Sequence, residues 1–174
     1  MLSKKDIDNY FLEINDRLNK IGKHGEIVMA GGAALTVVFN ARGATHDIDA
    51  LFKPSIEFRE IIEQMAQEHG LEKDWLNDGV KGFFTDKLKA DLYKSFSNLE
   101  VYSIDAEGLL ALKLTSARRR SKDMEDSIML MKHLEIQNIE ELYGIIEKYT
   151  SSNQQSPNSY FFTQEAFEQY QEHK

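Results

Sequence analysis

Apolar side chains recur at three- and four-residue spacing through Ile7, Phe11, Ile14 and Leu18, the stripe of an amphipathic helix over residues 4–20. Ser3 stands where an N-cap belongs, and Gly22 where such a helix would stop. The pattern then changes. Residues 26–30 (Glu-Ile-Val-Met-Ala) form a short, partly β-branched run leading into Gly31-Gly32, which predicts a buried strand entering a glycine turn. A short helix over 33–40 follows, broken near Gly43. From His46 to Phe52 polar and apolar residues alternate, as on a half-buried strand. Pro54 closes that strand, and Phe58, Ile61, Ile62 and Met65 mark one face of a helix over 55–69.

The weakest periodicity lies between 70 and 98. Residues 92–104 should hold at least one strand, with Leu-Glu-Val-Tyr-Ser-Ile at 99–104 the best candidate. Asp105 can cap a helix that carries the Leu-Leu-Ala-Leu run as far as 120, and two more helices are expected over 122–134 and 139–149. Residues 150–159 read as a polar connector, and 164–171 as a last short helix. Strands come early and helices late. The expected class is therefore α+β, a small mixed sheet with flanking helices and a helical C-terminal half. We expect one domain over 1–150, then a connector and short terminal helix over 151–174.

Composition narrows the function. The 174 residues are 41% apolar and 29% charged, enough apolar material for a real core. The 21 basic and 29 acidic residues leave −8 at pH 7, which disfavours broad coating of nucleic acid because that affinity comes from many Lys/Arg–phosphate contacts. The absence of cysteine removes disulfides, zinc–thiolate sites and thiol nucleophiles. No apolar run approaches the roughly 18 residues of a membrane span. The opening MLSKKDIDNY lacks the apolar stretch of a signal peptide, so a cytoplasmic protein is expected.

The strongest candidate chemistry is Gly31-Gly32, then Arg42, Thr45 and Asp47-Ile48-Asp49. Alternate residues of a strand share a face, so Asp47 and Asp49 would stand together, roughly 7 Å apart, while Ile48 enters the core. Two such carboxylates suit hard divalent cations, Mg²⁺ above all and Mn²⁺ also, held together with substrate phosphates. The glycine pair between strand and helix offers backbone N–H groups and close approach to a phosphate. The competing account is a tight turn beside a solvated strand face.

A second constellation is Lys113, Arg118-Arg119-Arg120, Lys122-Asp123 and Asp126. A continuous helix would put Lys113, Ala117 and Arg120 on one face, where Lys113 could meet a triphosphate and arginines such as Arg118 could hold phosphate. Asp123 and Asp126 could orient those cations. The competing account is a basic helix end suited to the dipole, with Lys122–Asp126 an i,i+4 surface pair. Trp75 beside Asn77-Asp78 could stack a base or anchor a turn, the anchor being the simpler reading. The five histidines show no metal-ligand spacing, and His46 is expected at the surface.

The string Gly31-Gly32-Ala33-Ala34-Leu35, followed by Arg42-Gly43-Ala44-Thr45-His46-Asp47-Ile48-Asp49, resembles the nucleotidyltransferase superfamily with the polymerase-beta-like fold. It is most similar to the small bacterial branch with GG in place of Gly-Ser, which includes toxins of toxin–antitoxin (abortive-infection) systems. Two later stretches resemble it too: Trp75 through Phe83, and Leu109 to Lys113 with Arg118 through Asp126. The resemblance spans residues 26–136. It implies a nucleotidyltransferase-type sheet and transfer of a nucleoside monophosphate from a nucleoside triphosphate to an acceptor hydroxyl. That acceptor would be an RNA end such as a tRNA, a protein or a small molecule. In that reading Asp47 and Asp49 hold the metal and are catalytic together with Lys113. Gly31, Gly32, Arg42, Thr45, Arg118 and Asp123 meet the nucleotide, and an antitoxin protein is a candidate partner. Superfamily enzymes usually add a third carboxylate from a following strand, for which Glu100, Asp91 and Asp86 are the candidates here. The alternative is a non-catalytic nucleotidyltransferase-like module that binds a nucleotide or a partner. A blander option is an interaction protein whose late helices pack on a partner.

Overall fold

The computed structural model describes residues 1–40, 43–116 and 121–172. The chain forms two compact units, one of residues 1–82 and 90–104, the other of residues 83–89 and 105–174.

In the first unit, strand β1 (Leu2–Ser3) leads into helix α1 (Lys4–Lys20). Ser3 and Asp6 close a reciprocal cap: the Ser3 hydroxyl accepts from the Asp6 N–H, and the Asp6 carboxylate accepts from the Ser3 N–H at 2.9 Å. The stripe of Ile7, Phe11, Ile14 and Leu18 is fully buried. Gly22, at φ +64°, turns the chain out of the helix while the Lys23 N–H donates to the Leu18 carbonyl. There follow β2 (Gly25–Met29), α2 (Gly31–Val37), β3 (Ala44–Thr45), β4 (Ile48–Lys53), α3 (Ser55–His69), β5 (Leu76–Asn77), β6 (Ala90–Ser95) and β7 (Leu99–Ile104). The main sheet is mixed, ordered β5-β4-β2-β7-β6, and β1 pairs with β3 in a small separate ribbon. Strand β2 is antiparallel to β4 and parallel to β7.

Cross-strand partners share a face, so the register sorts the sheet into two sides. Ile27, Met29, Ile48, Ala50, Phe52 and Val101 are buried on one side, where Phe52 stacks on Phe58 of α3 at 5.3 Å. The opposite side carries Val28, Asp49, Leu51 and Tyr102, each half-buried. The sheet matches the class expected from sequence. Three local expectations change. The helix after β2 starts at Gly31 itself and ends at Val37, so the glycines open the helix instead of forming a turn before it. Strand β4 begins at Ile48, which leaves Asp47 one residue ahead of it. A further strand, β5, lies in the unreadable middle, only two residues long and hence without a pattern of its own.

The second unit is helical: α4 (Ala106–Thr115), α5 (Ser121–His133), α6 (Ile139–Tyr149) and α7 (Pro157–Glu172). Asp105 caps α4 as expected, accepting from the Gly108 N–H at 2.7 Å. Helix α4 is apolar on nearly every side and packs against α5, α6 and α7 at once. It ends at Thr115, short of the expected 120, with the Thr115 hydroxyl returned to the Ala111 carbonyl. Ala117 and Arg118 to Arg120 lie outside the described residues. Helix α7 is longer than its pattern suggested, because Pro157 occupies its first turn and Ser156 caps it, the Ser156 hydroxyl accepting from the Ser159 N–H at 3.2 Å. Among the described residues no helix is long and apolar enough to cross a membrane.

Candidate active site

Gly31 and Asp49 are built against each other. Gly31 has φ +58°, in the left-handed region where a side chain is strained. A Cβ added there would lie 2.8 Å from the Asp49 Oδ2. The contact follows from the register: the Ala30 N–H donates to the Asp49 carbonyl at 2.8 Å, so β2 delivers Gly31 to the carboxylate just past the paired residues. Ala30, the N-cap of α2, brings no side-chain acceptor to the helix opening, while the Thr36 hydroxyl is spent on the Gly32 carbonyl at 2.9 Å. Gly31 and an aspartate eighteen residues later thus form one closely packed corner.

Asp47 and Asp49 are both half-buried, and Ile48 between them is fully buried, as alternation required. Thr45 is buried, and its hydroxyl donates to the Asp47 carbonyl at 3.2 Å, so this side chain shapes the entry to β4. His46 is exposed, as expected. Arg42 lies outside the described residues. Trp75 is the turn anchor: it is 1% exposed, its Nε1 donates to the Ile62 carbonyl at 3.1 Å, and Tyr10 meets it edge-on. Burial there leaves no ring face for a base. The next strand contributes a residue whose place sequence reasoning missed. Asn77 pairs with Asp49 in the parallel register of β4 and β5, and its Nδ2 lies 3.5 Å from the Asp47 Oδ2.

Two of the three candidates for a third acid lie in the first unit, and neither stands beside the pair. Glu100 shares the face of Asp49 but aligns with Glu26 and Lys53, four residues along the sheet or roughly 13 Å away. Asp91 pairs with Ser103, on the side of Met29 and Ala50. Continuing the β2–β7 register puts Ile104, 2% exposed, at the level of Asp49. Asp86 belongs to the second unit.

In the second unit Lys113 and Asp123 do come together. The Lys113 ammonium sits 2.6 Å from the Asp123 Oδ1 and 2.8 Å from the Asp126 Oδ2, and all three side chains are largely buried. The i,i+3 spacing of the aspartates on α5 sets both carboxylates toward one cation from α4. Asp126 is thus a buried partner of Lys113 and not the surface group expected from its spacing to Lys122.

Carboxylates are the hard oxygen donors Mg²⁺ and Mn²⁺ take, and a glycine where a Cβ would strike a carboxylate oxygen is what close approach of a charged group needs. Asp47 and Asp49 therefore fit a divalent cation by donor type. Among the described residues, Glu13, Glu68 and His69 bring ligand atoms within 4.8 Å of one another in the first unit. Arg17 already pairs with both of these carboxylates and His69 with Glu13, which makes the group a surface ion-pair network.

No curated protein and no solved structure matches the chain. A family model described as "Nucleotidyltransferase of unknown function (DUF6036)" matches residues 9–174, spanning the glycine corner, both aspartates and the Lys113 cluster. The chain belongs to that nucleotidyltransferase family.

Proposed function

We propose that the protein is a Mg²⁺-dependent nucleotidyltransferase that moves a nucleoside monophosphate from a nucleoside triphosphate to an acceptor hydroxyl. The observation that carries this reading is the corner in which the Asp49 carboxylate packs on the Cα of a left-handed Gly31. Asp47 stands one residue before the same strand. In this reading Asp47 and Asp49 would hold the cation, and backbone N–H groups at Gly31-Gly32 would donate to a phosphate. The cation, when bound, stabilises charge on the oxygens of an in-line displacement. The protein's own share is positioning: β4, paired with β2, carries Asp49, and the absent side chain at 31 makes room for its carboxylate. A toxin role, implied by the resemblance, is one setting for such transfer.

The test supplies each α-labelled triphosphate with Mg²⁺ or Mn²⁺, total tRNA and protein extract, and asks what acquires label. Wild type should label one acceptor class, and the Asp47→Asn, Asp49→Asn double variant should label none while melting as a folded protein. Transfer surviving in the double variant would sink the assignment. The apolar Ile104 at the level of Asp49 favours a second reading, a nucleotide-binding module without transfer. That reading predicts Mg²⁺–nucleotide binding to wild type and no labelled product.

A further inference from the structure

Asn77 lies in the motif of the middle region, Trp75-Leu76-Asn77-Asp78-Gly79. Every part of that motif is tied down. The Trp75 carbonyl accepts from the Ile48 N–H at 2.7 Å, which locks β5 to the first residue of β4. Trp75 itself is anchored in the core, and Asp78 pairs with Arg59 of α3 at 2.8 Å. The Asn77 Oδ1 accepts from the Gly79 N–H at 2.9 Å. That bond fixes which way the amide faces, since an N–H cannot donate to an NH₂ group. The Nδ2 is thereby turned toward two acceptors, the Asp74 carbonyl at 3.2 Å and the Asp47 Oδ2 at 3.5 Å.

Asp47 needs such a neighbour. Asp49 is backed by Gly31 and lies inside a paired strand, whereas Asp47 precedes β4, outside the ladder that holds the strand's backbone. A metal-binding carboxylate held at one oxygen by a neutral donor keeps its orientation without a competing charge. An acid at position 77 would instead put a third negative group against Asp47.

We propose that Asn77, on the edge strand β5 beside β4, is a positioning residue that orients Asp47 toward a divalent cation. This rests on the metal-binding reading of Asp47 and Asp49, and the experiment separates the two. Mn²⁺ dissociation constants are measured by calorimetry on the intact protein without nucleotide, for wild type, Asp47→Asn, Asn77→Ala and Arg59→Ala. Asp47→Asn and Asn77→Ala should both weaken binding, Asn77→Ala by about tenfold, as loss of an orienting partner does. Arg59→Ala removes the ion pair of the same turn but not the amide, and should bind as wild type. Wild-type affinity in Asn77→Ala, with Asp47→Asn impaired, would overturn the role of Asn77 alone. An equal loss in Arg59→Ala would show that the turn as a whole matters and would overturn positioning. Unchanged affinity in Asp47→Asn would overturn the metal reading and this inference with it.

Discussion

At the scale of single residues, the candidate site depends on what is missing at position 31. Gly31 combines a positive φ with a Cβ direction aimed at the Asp49 Oδ2, so two independent penalties meet there. The Gly31→Ala variant should lose about 1–2 kcal/mol of stability from the left-handed backbone. It should also weaken Mn²⁺ binding, because the carboxylate has to move. A thermal melt and a Mn²⁺ titration on the same protein check both parts, and a variant as stable and as tight as wild type would refute the cradle. The sequence displayed the Gly-Gly pair and the alternation of Asp47, Ile48 and Asp49. It could not display which glycine would face which aspartate, because that follows from the β2–β4 register. Asn77 was legible as a residue of a turn motif and illegible as a neighbour of Asp47, thirty residues earlier in the chain.

At the scale of elements, long periodic segments were read almost to the residue: α1, α3 and α6 stand where their stripes put them. Gly70, at φ +63°, ends α3 as a left-handed cap. Short elements were not, since a two-residue strand such as β5 is defined only by its partner. The Lys113 cluster shows how tertiary pairing overrides helical spacing. An i,i+4 rule offered Lys122 as the natural partner of Asp126, yet α4 brings Lys113 to both aspartates of α5. Removing that ammonium leaves two buried carboxylates with like charge close together. Lys113→Met should therefore cost about 3 kcal/mol, the scale for breaking a buried pair by deleting one partner. Urea denaturation reads it as a lower midpoint at unchanged slope. An unshifted midpoint would show that the cluster contributes no stability.

At the scale of the whole molecule, pH dependence follows from groups distributed over both units. Burial first, and then the Asp8 carboxylate, holds the Tyr93 hydroxyl neutral well above its ordinary value near 10. Burial does the same for Tyr149, reinforced by its 2.9 Å bonds to Asp105 and Glu107. Tyr143 is pushed up to about 12, by burial first and then by Tyr160. A raised folded-state value means stability that is fully present below pH 10 and lost as pH climbs toward the folded value. On the acid side, Lys148 and then Tyr149 hold the Glu107 carboxyl below its ordinary 4.5. That contribution is present above about pH 4.5 and fades as pH falls through the lowered value. Denaturant midpoints should form a plateau between these limits and fall on both sides. Tyr149→Phe should flatten part of the alkaline fall, and an identical fall in that variant would count against the assignment.

By itself the sequence determined the α+β class, the early sheet and late helices, the capped helices, and the residue types that can carry phosphate and metal chemistry. Each of these is decided within a few residues, by side-chain period, backbone freedom and local hydrogen bonding. Only the tertiary structure decided that Gly31 seats Asp49, that Asn77 reaches Asp47, that Glu100 and Asp91 stand away from the pair, and that Lys113 is held by two aspartates. Those relations depend on strand register and helix packing, where residues far apart in sequence come within a few ångströms and no local pattern records the meeting.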